Sequence, residues 1–465
     1  MGNPEQPIHI VGAGLAGSEC AYQLAEMGLY SVILHEMREK TSTPAHKTGL
    51  FAELVCSNSF GSQTNYSAPG QLKWEADCLG SLILRTAEEA SLPAGMALGV
   101  DRDIFARRIT EIINHHPRIT IVNEVVENFN QIPRPAVIAT GPLTHRALAE
   151  SMRQHFEGEF LHFFDAIAPV VDADSLNREV IWRADRWNQG GGDYLNCPMN
   201  KEQYGFLIDE IINARKVEFK DFEKINYFEG CMPIEVMAER GPETLRFGPL
   251  SPKGLFHPKS DQRPYAVAQL RQDNSEGSAY NLVGFQTKMT YSEQKRVFRL
   301  IPGLEEAEFL KLGSMHRNLF INSPCRLTPW LSSRKDPGLF FAGQITGVEG
   351  YFESTCIGLL VAHFLNDYCQ GKVPNLPPRE SALGSLLHAI TEPKENFQPT
   401  NINFSLYPNV DVPKTKGPRR HRKQLKRAKQ VKQARYAMTQ WVAEQKAWIM
   451  PPHFQREPLV GARLF

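Results

Sequence analysis

An α/β architecture, doubly wound and interrupted by an inserted mixed α/β domain, is the fold class this sequence predicts. Three observations carry that expectation. The apolar run Ile8 to Val11 opens into Gly12-Ala-Gly-Leu-Ala-Gly17, and a second apolar run, Ser31 to His35, ends on the acid Glu36. Pro135-Ala-Val-Ile-Ala-Thr-Gly141 reads as another strand ending in a turn. Far downstream, Gly338-Leu-Phe-Phe-Ala-Gly-Gln344 repeats that logic.

Strand, glycine turn, helix, strand and acid together form a dinucleotide-binding fingerprint of the Rossmann-like FAD/NAD(P) kind. Gly12 supplies the tight turn, Gly14 the close backbone approach and Gly17 the helix–strand packing. Ala13, Leu15 and Ala16 stay small or apolar between them, and an amphipathic helix from Leu15 to Met27 would rest its positive N-terminus on a pyrophosphate. NAD, FAD and S-adenosylmethionine all use such a first unit. The later turns favour FAD, because Thr140 and Gly141 from one part of the chain and Gly343, Gln344, Gly347 and Gly350 from another would converge on one ligand. A helix beginning near Ser354 follows that last turn. Tyr351 beside it has two readings, packing near the isoalloxazine or in the core.

Between these pieces the chain predicts a polar, glycine-rich loop region from Thr41 to Gly70, then helical pattern to Ser91. Asp101 reads as the N-cap of a helix whose apolar face includes Phe105, Ile109 and Ile112, and strands Ile119 to Val122 and Ala136 to Ala139 follow. From about Phe160 to Cys325 the texture changes to short strands and turns with few long helices. The expected division is a first FAD-binding part at 1–160, an inserted substrate domain at 161–325, a second FAD-binding part at 326–405 and a basic extension at 406–465.

With 465 residues, 42% of them hydrophobic, the chain can bury two sizeable cores. Its first residues lack a basic leader and its most apolar helix, around Ile357 to Leu365, is too short to span a bilayer, so a soluble cytoplasmic enzyme without membrane partners is expected. The eight cysteines are scattered with no CxxC pair, which argues for reduced thiols and against a metal site. Cys20 and Cys356 fit small buried hydrophobes inside helices. Cys56, in Glu53-Leu-Val-Cys-Ser-Asn-Ser59, and Cys231, in Glu229-Gly-Cys-Met-Pro233, sit in turn-forming settings where a thiolate could react if a cation lay nearby. No second strand-GxGxxG-helix unit occurs, so a nicotinamide donor would have to visit an open flavin face.

The tail is strongly basic. Between Lys414 and Arg435 lie eleven cations, among them Arg419, Arg420, Arg422 and Lys423, and no Asp or Glu. With a whole-chain net charge of +1, the remainder is left near −10. Three readings fit such a run: a phosphate-binding helix, a solvated tail, or a contact to an acidic membrane surface.

Beyond these local signals, GAGLAGSE, AELVCSNS, PAGMALGVDRDIF, ATGP, EGCMPIEVMAERG, TLRFGPLSPKGL, AVAQLRQDN, LVGFQTKMTYSEQKRVFRLIPG, GSMHRN, FINSP and FAGQITGVEGY follow one another in order. From about Ile8 to Pro408 the chain resembles the folate- and FAD-dependent tRNA uracil-5-methyltransferases. That resemblance implies transfer of a one-carbon unit from 5,10-methylenetetrahydrofolate through reduced FAD to C5 of the T-loop uridine of tRNA, with NADPH or NADH as reductant. By matching motifs it implies that Cys231 attacks uracil C6 and that Cys56 is a second active-site cysteine, assisting proton removal or resolving the adduct. It leaves His316 and Lys288 as folate or RNA contacts or as structural side chains. Two other outcomes stay open: the same chemistry on ribosomal RNA, or a flavoprotein that mainly aids RNA folding. The chain departs from the usual pattern at Phe60 and Gly61, where Leu-Arg is common, and at Met96, Leu319 and the Pro249 to Gly254 loop.

Overall fold

A computed structural model describes residues 6–43, 45–158, 161–188, 192–217, 232–257, 263–395, 397–412 and 419–444. Cys231 lies outside the described residues.

The chain opens with β1 (Ile8–Val11), α1 (Leu15–Glu26) and β2 (Val32–Glu36), the βαβ unit that the glycine pattern predicts. The segment 41–70 is less irregular than its polarity suggests: it contains β3 (Ser59–Ser62) and the start of α2 (Ala68–Cys78), which Ser67 caps by accepting from the Gly70 N–H. Next come α3 (Leu82–Glu89), β4 (Ser91–Leu92), β5 (Ala97–Val100) and α4 (Arg102–Asn114). Asp101 caps α4 through the N–H groups of Asp103 and Ile104. The buried face of α4 is Phe105, Ala106, Ile109 and Ile113; Ile112 sits at its edge, half-buried.

Then β6 (Ile119–Asn123), β7 (Ala136–Ile138), α5 (Arg146–Phe156) and β8 (Leu161–Ala166) lead into a second sheet region. There follow β9 (Val170–Asp172), β10 (Trp182–Arg183), β11 (Tyr194–Met199), α6 (Lys201–Asn213), α7 (Ile234–Glu239), α8 (Thr244–Phe247), β12 (Ala266–Gln272), β13 (Ala279–Leu282), α9 (Tyr291–Phe298) and β14 (Phe309–Lys311). The helix α6 is longer than the short-strand texture implied. Its signal was the Asn200 and Gln203 pair, which forms a reciprocal capping box. The chain returns through β15 (Met315–Phe320), α10 (Ser323–Arg326) and β16 (Leu339–Phe341), and its described residues close with α11 (Tyr351–Cys369), α12 (Ala382–Thr391) and α13 (Arg419–Glu444). Gly350, at φ +117°, is the N-cap of α11, which begins at Tyr351, three residues earlier than Ser354.

Five parallel strands in the order β16-β7-β1-β2-β6 form the first sheet. Burial on both faces explains their continuous apolar character. Because β1 lies between β2 and β7, its C-terminal end is a switch point where the connections diverge, and the glycine turn sits there. Helices α1 and α11 approach so closely that a Cβ on Gly358 would fall 2.2 Å from the Ala16 carbonyl oxygen. The second sheet, β10-β11-β12-β13-β9-β14, is antiparallel throughout. Its core, including Leu195, Leu207, Ile211, Leu270, Phe285 and Phe298, is separate from the first.

The segment between Leu54 and Asn58 ties a small sheet, β3-β5-β4, to the second sheet. Asn58 Nδ2 donates to the carbonyls of Val100 and Gln272, and the Arg271 guanidinium donates to Asn58 Oδ1 and Ser57 Oγ. The final helix is no loose tail. Val431, Ala434, Met438 and Trp441 form a buried stripe at helical spacing, and the Arg435 guanidinium lies 5.1 Å from the centre of the Trp74 ring on α2.

Candidate active site

The glycine turn, strand ends and two later loops enclose a cleft of about 1050 Å³, including its open mouth. Gly12, Ala13, Gly14, Leu15, Ala16, Glu36, Thr140, Gly141, Gly343, Gln344 and Tyr351 all line it, so segments distant in sequence meet on one cavity. That volume reaches the upper end of ordinary small-ligand pockets, the range an extended dinucleotide needs.

Local geometry explains the glycines. Gly12 has φ +100°, and a Cβ there would meet the Ala139 carbonyl at 2.8 Å. Gly14, at the N-cap of α1, has nothing within 4 Å of an added Cβ and offers no side chain to its first turn, leaving backbone N–H groups for an anion. Gly17 does not line the cleft; it packs against the Gly12 carbonyl from behind. Gly350 likewise sits off the wall, fixing the start of α11.

Glu36 is buried and heavily engaged. It accepts from the Ala13 N–H at 2.9 Å and from the Arg38 backbone N–H and guanidinium, with both side chains shielded from solvent. Burial works to raise its carboxyl, but Arg38 and the two backbone donors hold it below the usual carboxylate range. The acid therefore organises the turn as well as facing the cleft. Arg38 was not singled out from sequence, though it stands two residues beyond the acid. His145 was also missed. It lines the cleft, and its Nδ1 is buried without a hydrogen-bond partner among the described residues, so the wall presents an unfilled polar position. The cavity, the glycine cradle and this orphaned nitrogen fit a bound dinucleotide.

Cys56 adjoins the same cleft through Val55, which lines it. Tyr351 is the hinge between them. Its hydroxyl accepts from the Cys56 N–H at 2.7 Å and the Ser57 N–H at 3.1 Å, and its ring packs on Phe60. Burial and the neighbouring cysteine push that phenol well up, so it stays neutral. Cys20 and Cys356 are buried, and burial raises both thiols, in keeping with inert core positions.

The softer sequence candidates scatter. Lys288 donates its backbone N–H to Glu235 Oε2 at 3.3 Å and does not line the cleft. His316 lies on β15 opposite Asp165, and its side chain falls outside the described residues. Arg422 and Lys423 are exposed on α13 beside the segment Asn409 to Val412, away from the cleft; the side chains of Arg419 and Arg420 on that helix are outside the described residues. Among the described residues no group of three or more His, Cys, Asp or Glu side chains is placed to hold a metal ion, and no helix is long and apolar enough to cross a membrane.

Comparison with known proteins agrees with this geometry. A family model described as glucose inhibited division protein A matches residues 7–373. The chain is 65% identical over 438 residues to a methylenetetrahydrofolate--tRNA-(uracil-5-)-methyltransferase of Bdellovibrio bacteriovorus, covering 94% of this chain and 98% of that protein. It is 49% identical over 434 residues to the protein of that name from Persephonella marina, covering 93% and 99%. Among solved structures, Aquifex aeolicus GidA superposes with a TM-score of 0.66 at 14% identity, over 97% of this chain and 75% of that one, a likeness of fold. By the length and identity of these matches, the chain belongs to the glucose inhibited division protein A family and, within it, to the methylenetetrahydrofolate--tRNA-(uracil-5-)-methyltransferases.

Proposed function

We propose that this chain methylates C5 of a uridine in tRNA, taking the carbon from 5,10-methylenetetrahydrofolate. The near-complete collinear match to methyltransferases of that name carries the reading. FAD would lie in the cleft, its pyrophosphate over Gly14 and the start of α1, and it would supply the carrier and redox chemistry when bound. NADPH or NADH would reduce it from the open mouth, the compartment being the cytoplasm.

Uracil C5 is a poor nucleophile until C6 is attacked. The Cys231 thiolate forms a bond to C6, and the displaced electron pair moves onto C5 and O4, making C5 an enolate carbon that can take up an electrophilic one-carbon unit. The proton on C5 must then leave, and Cys56, next to Val55 on the cleft wall, would receive it. Neutral Tyr351 holds the Cys56 backbone in register with the cleft. The T-loop uridine is the proposed target. With purified protein, FAD, a nicotinamide reductant and folate carrying a labelled methylene carbon, label should appear as methyluridine in tRNA by mass analysis. Label confined to ribosomal RNA, or absent from nucleic acid, overturns the assignment.

We also propose that α13 grips the tRNA backbone. Arg422, Lys423 and Lys432 are exposed along this helix. Truncating the helix would expose Met438 and Trp441, so charge removal is the cleaner test. Replacing these three by Gln should leave thermal stability unchanged and weaken tRNA binding about tenfold at moderate salt. The dependence of log K on log salt should flatten by roughly two units. An unchanged slope removes α13 from the RNA interface.

A further inference from the structure

Between the cofactor cleft and the second sheet, two cations converge on the backbone of residues 54–56. Lys311, at the end of β14, donates its ammonium to the Val55 carbonyl at 2.7 Å. Arg102, at the start of α4, donates to the carbonyls of Leu54 at 3.1 Å and Cys56 at 3.2 Å, and pairs with Asp273 at 2.9 Å. Its Nε is buried with no partner among the described residues. Across from them, the Cys56 thiol donates to the Ala166 carbonyl at 3.9 Å, through the proton it would give up as a thiolate, and the Tyr351 hydroxyl accepts from the Cys56 N–H.

The charge balance here is lopsided. Arg102 from α4, Lys311 from β14, and Arg271 from β12, bonded to Ser57 Oγ, are all cations; Lys47 stands behind Lys311. Asp273, at the end of β12, is the carboxylate that faces them, and Arg102 already uses it; Tyr351 on α11 is neutral. Lys311 makes no ion pair among the described residues. A desolvated ammonium without a counter-charge is costly, and a thiolate beside it would supply the missing negative charge.

We propose that Lys311 and Arg102 are positioning residues that hold the Cys56 sulfur as a thiolate at the wall of the cofactor cleft. This rests on Cys56 working in the reaction, where the thiolate accepts the proton leaving uracil C5 while the C–H electron pair stays with the pyrimidine ring. Burial foremost, with Arg102 and Lys47, pushes the Lys311 amine down to about 8. Its support for the thiolate is therefore present below about pH 8 and fades above it.

The test is the pH dependence of Cys56 alkylation by iodoacetamide in the full-length FAD-loaded protein. Peptide mass spectrometry reads that thiol apart from the others, in a Cys231→Ser background. The reactive fraction should reach half its maximum at least about one pH unit below the ordinary thiol range near 8.5. Lys311→Met should slow alkylation at pH 7 about tenfold, and Lys311→Arg should restore it. A Cys56 profile centred on the ordinary thiol value in the unsubstituted lysine protein overturns the proposal, even if Lys311→Met fails to fold. So does an identical profile in Lys311→Met. Absence of tRNA methylation by the protein that retains Cys231, with a low Cys56 midpoint, would count against the proposed function and leave this inference standing.

Discussion

Cys231→Ala should abolish formation of methyluridine, lowering turnover roughly a thousandfold or more, while the protein stays yellow and folded. The expectation follows from what the substrate lacks. Without a bond from sulfur to C6, no electron density reaches C5, and no arrangement of the cleft compensates for an absent nucleophile. Cofactor binding is separable, because the described groups lining the cleft come from the first sheet and its turns, the 43–55 segment and the start of α11. The measurement is single-turnover transfer of labelled carbon to tRNA, with flavin absorbance and thermal denaturation run alongside. Product formed at more than a tenth of the normal rate would take Cys231 out of the nucleophile's role.

Gly17→Val should give a nearly colourless protein, with FAD affinity reduced at least about a hundredfold and stability lower by about 3 kcal/mol or more. A Cβ at Gly17 would lie 1.8 Å from the Gly12 carbonyl oxygen, so α1 must move off β1, and the turn beneath the pyrophosphate moves with it. Gly14→Ala is the informative contrast. Its Cβ would meet no protein atom within 4 Å, so the apo protein should keep its melting temperature while the methyl group intrudes on ligand space. Flavin-to-protein absorbance ratios and apo-protein melting curves check both. A yellow Gly17→Val protein with normal stability would show that this glycine does not set the helix–strand distance.

How far the letters reach differs between the two halves of the site. The cofactor half was legible because its geometry is local. A glycine at φ +100°, an apolar strand on each side and a helix start are imposed within about thirty residues, so pattern and structure coincide. Even the later turns at Thr140 and Gly343 followed from strand-then-glycine patterns that recur along the chain. The basic helix was legible in its charge, but its buried stripe of Val431, Ala434, Met438 and Trp441 was hidden by the cations between those positions.

The sequence by itself determined the doubly wound scaffold, the dinucleotide cradle and, through long collinear motifs, the class of chemistry. Tertiary structure alone decided which side chains stand around Cys56. Tyr351 is 295 residues away from it in the chain, and the Lys311 contact to Val55 spans 256. Contacts of that span carry no periodicity and no fixed spacing. They exist because two separately cored sheets close on one segment, and only the folded chain specifies which cation, hydroxyl or carbonyl is carried there.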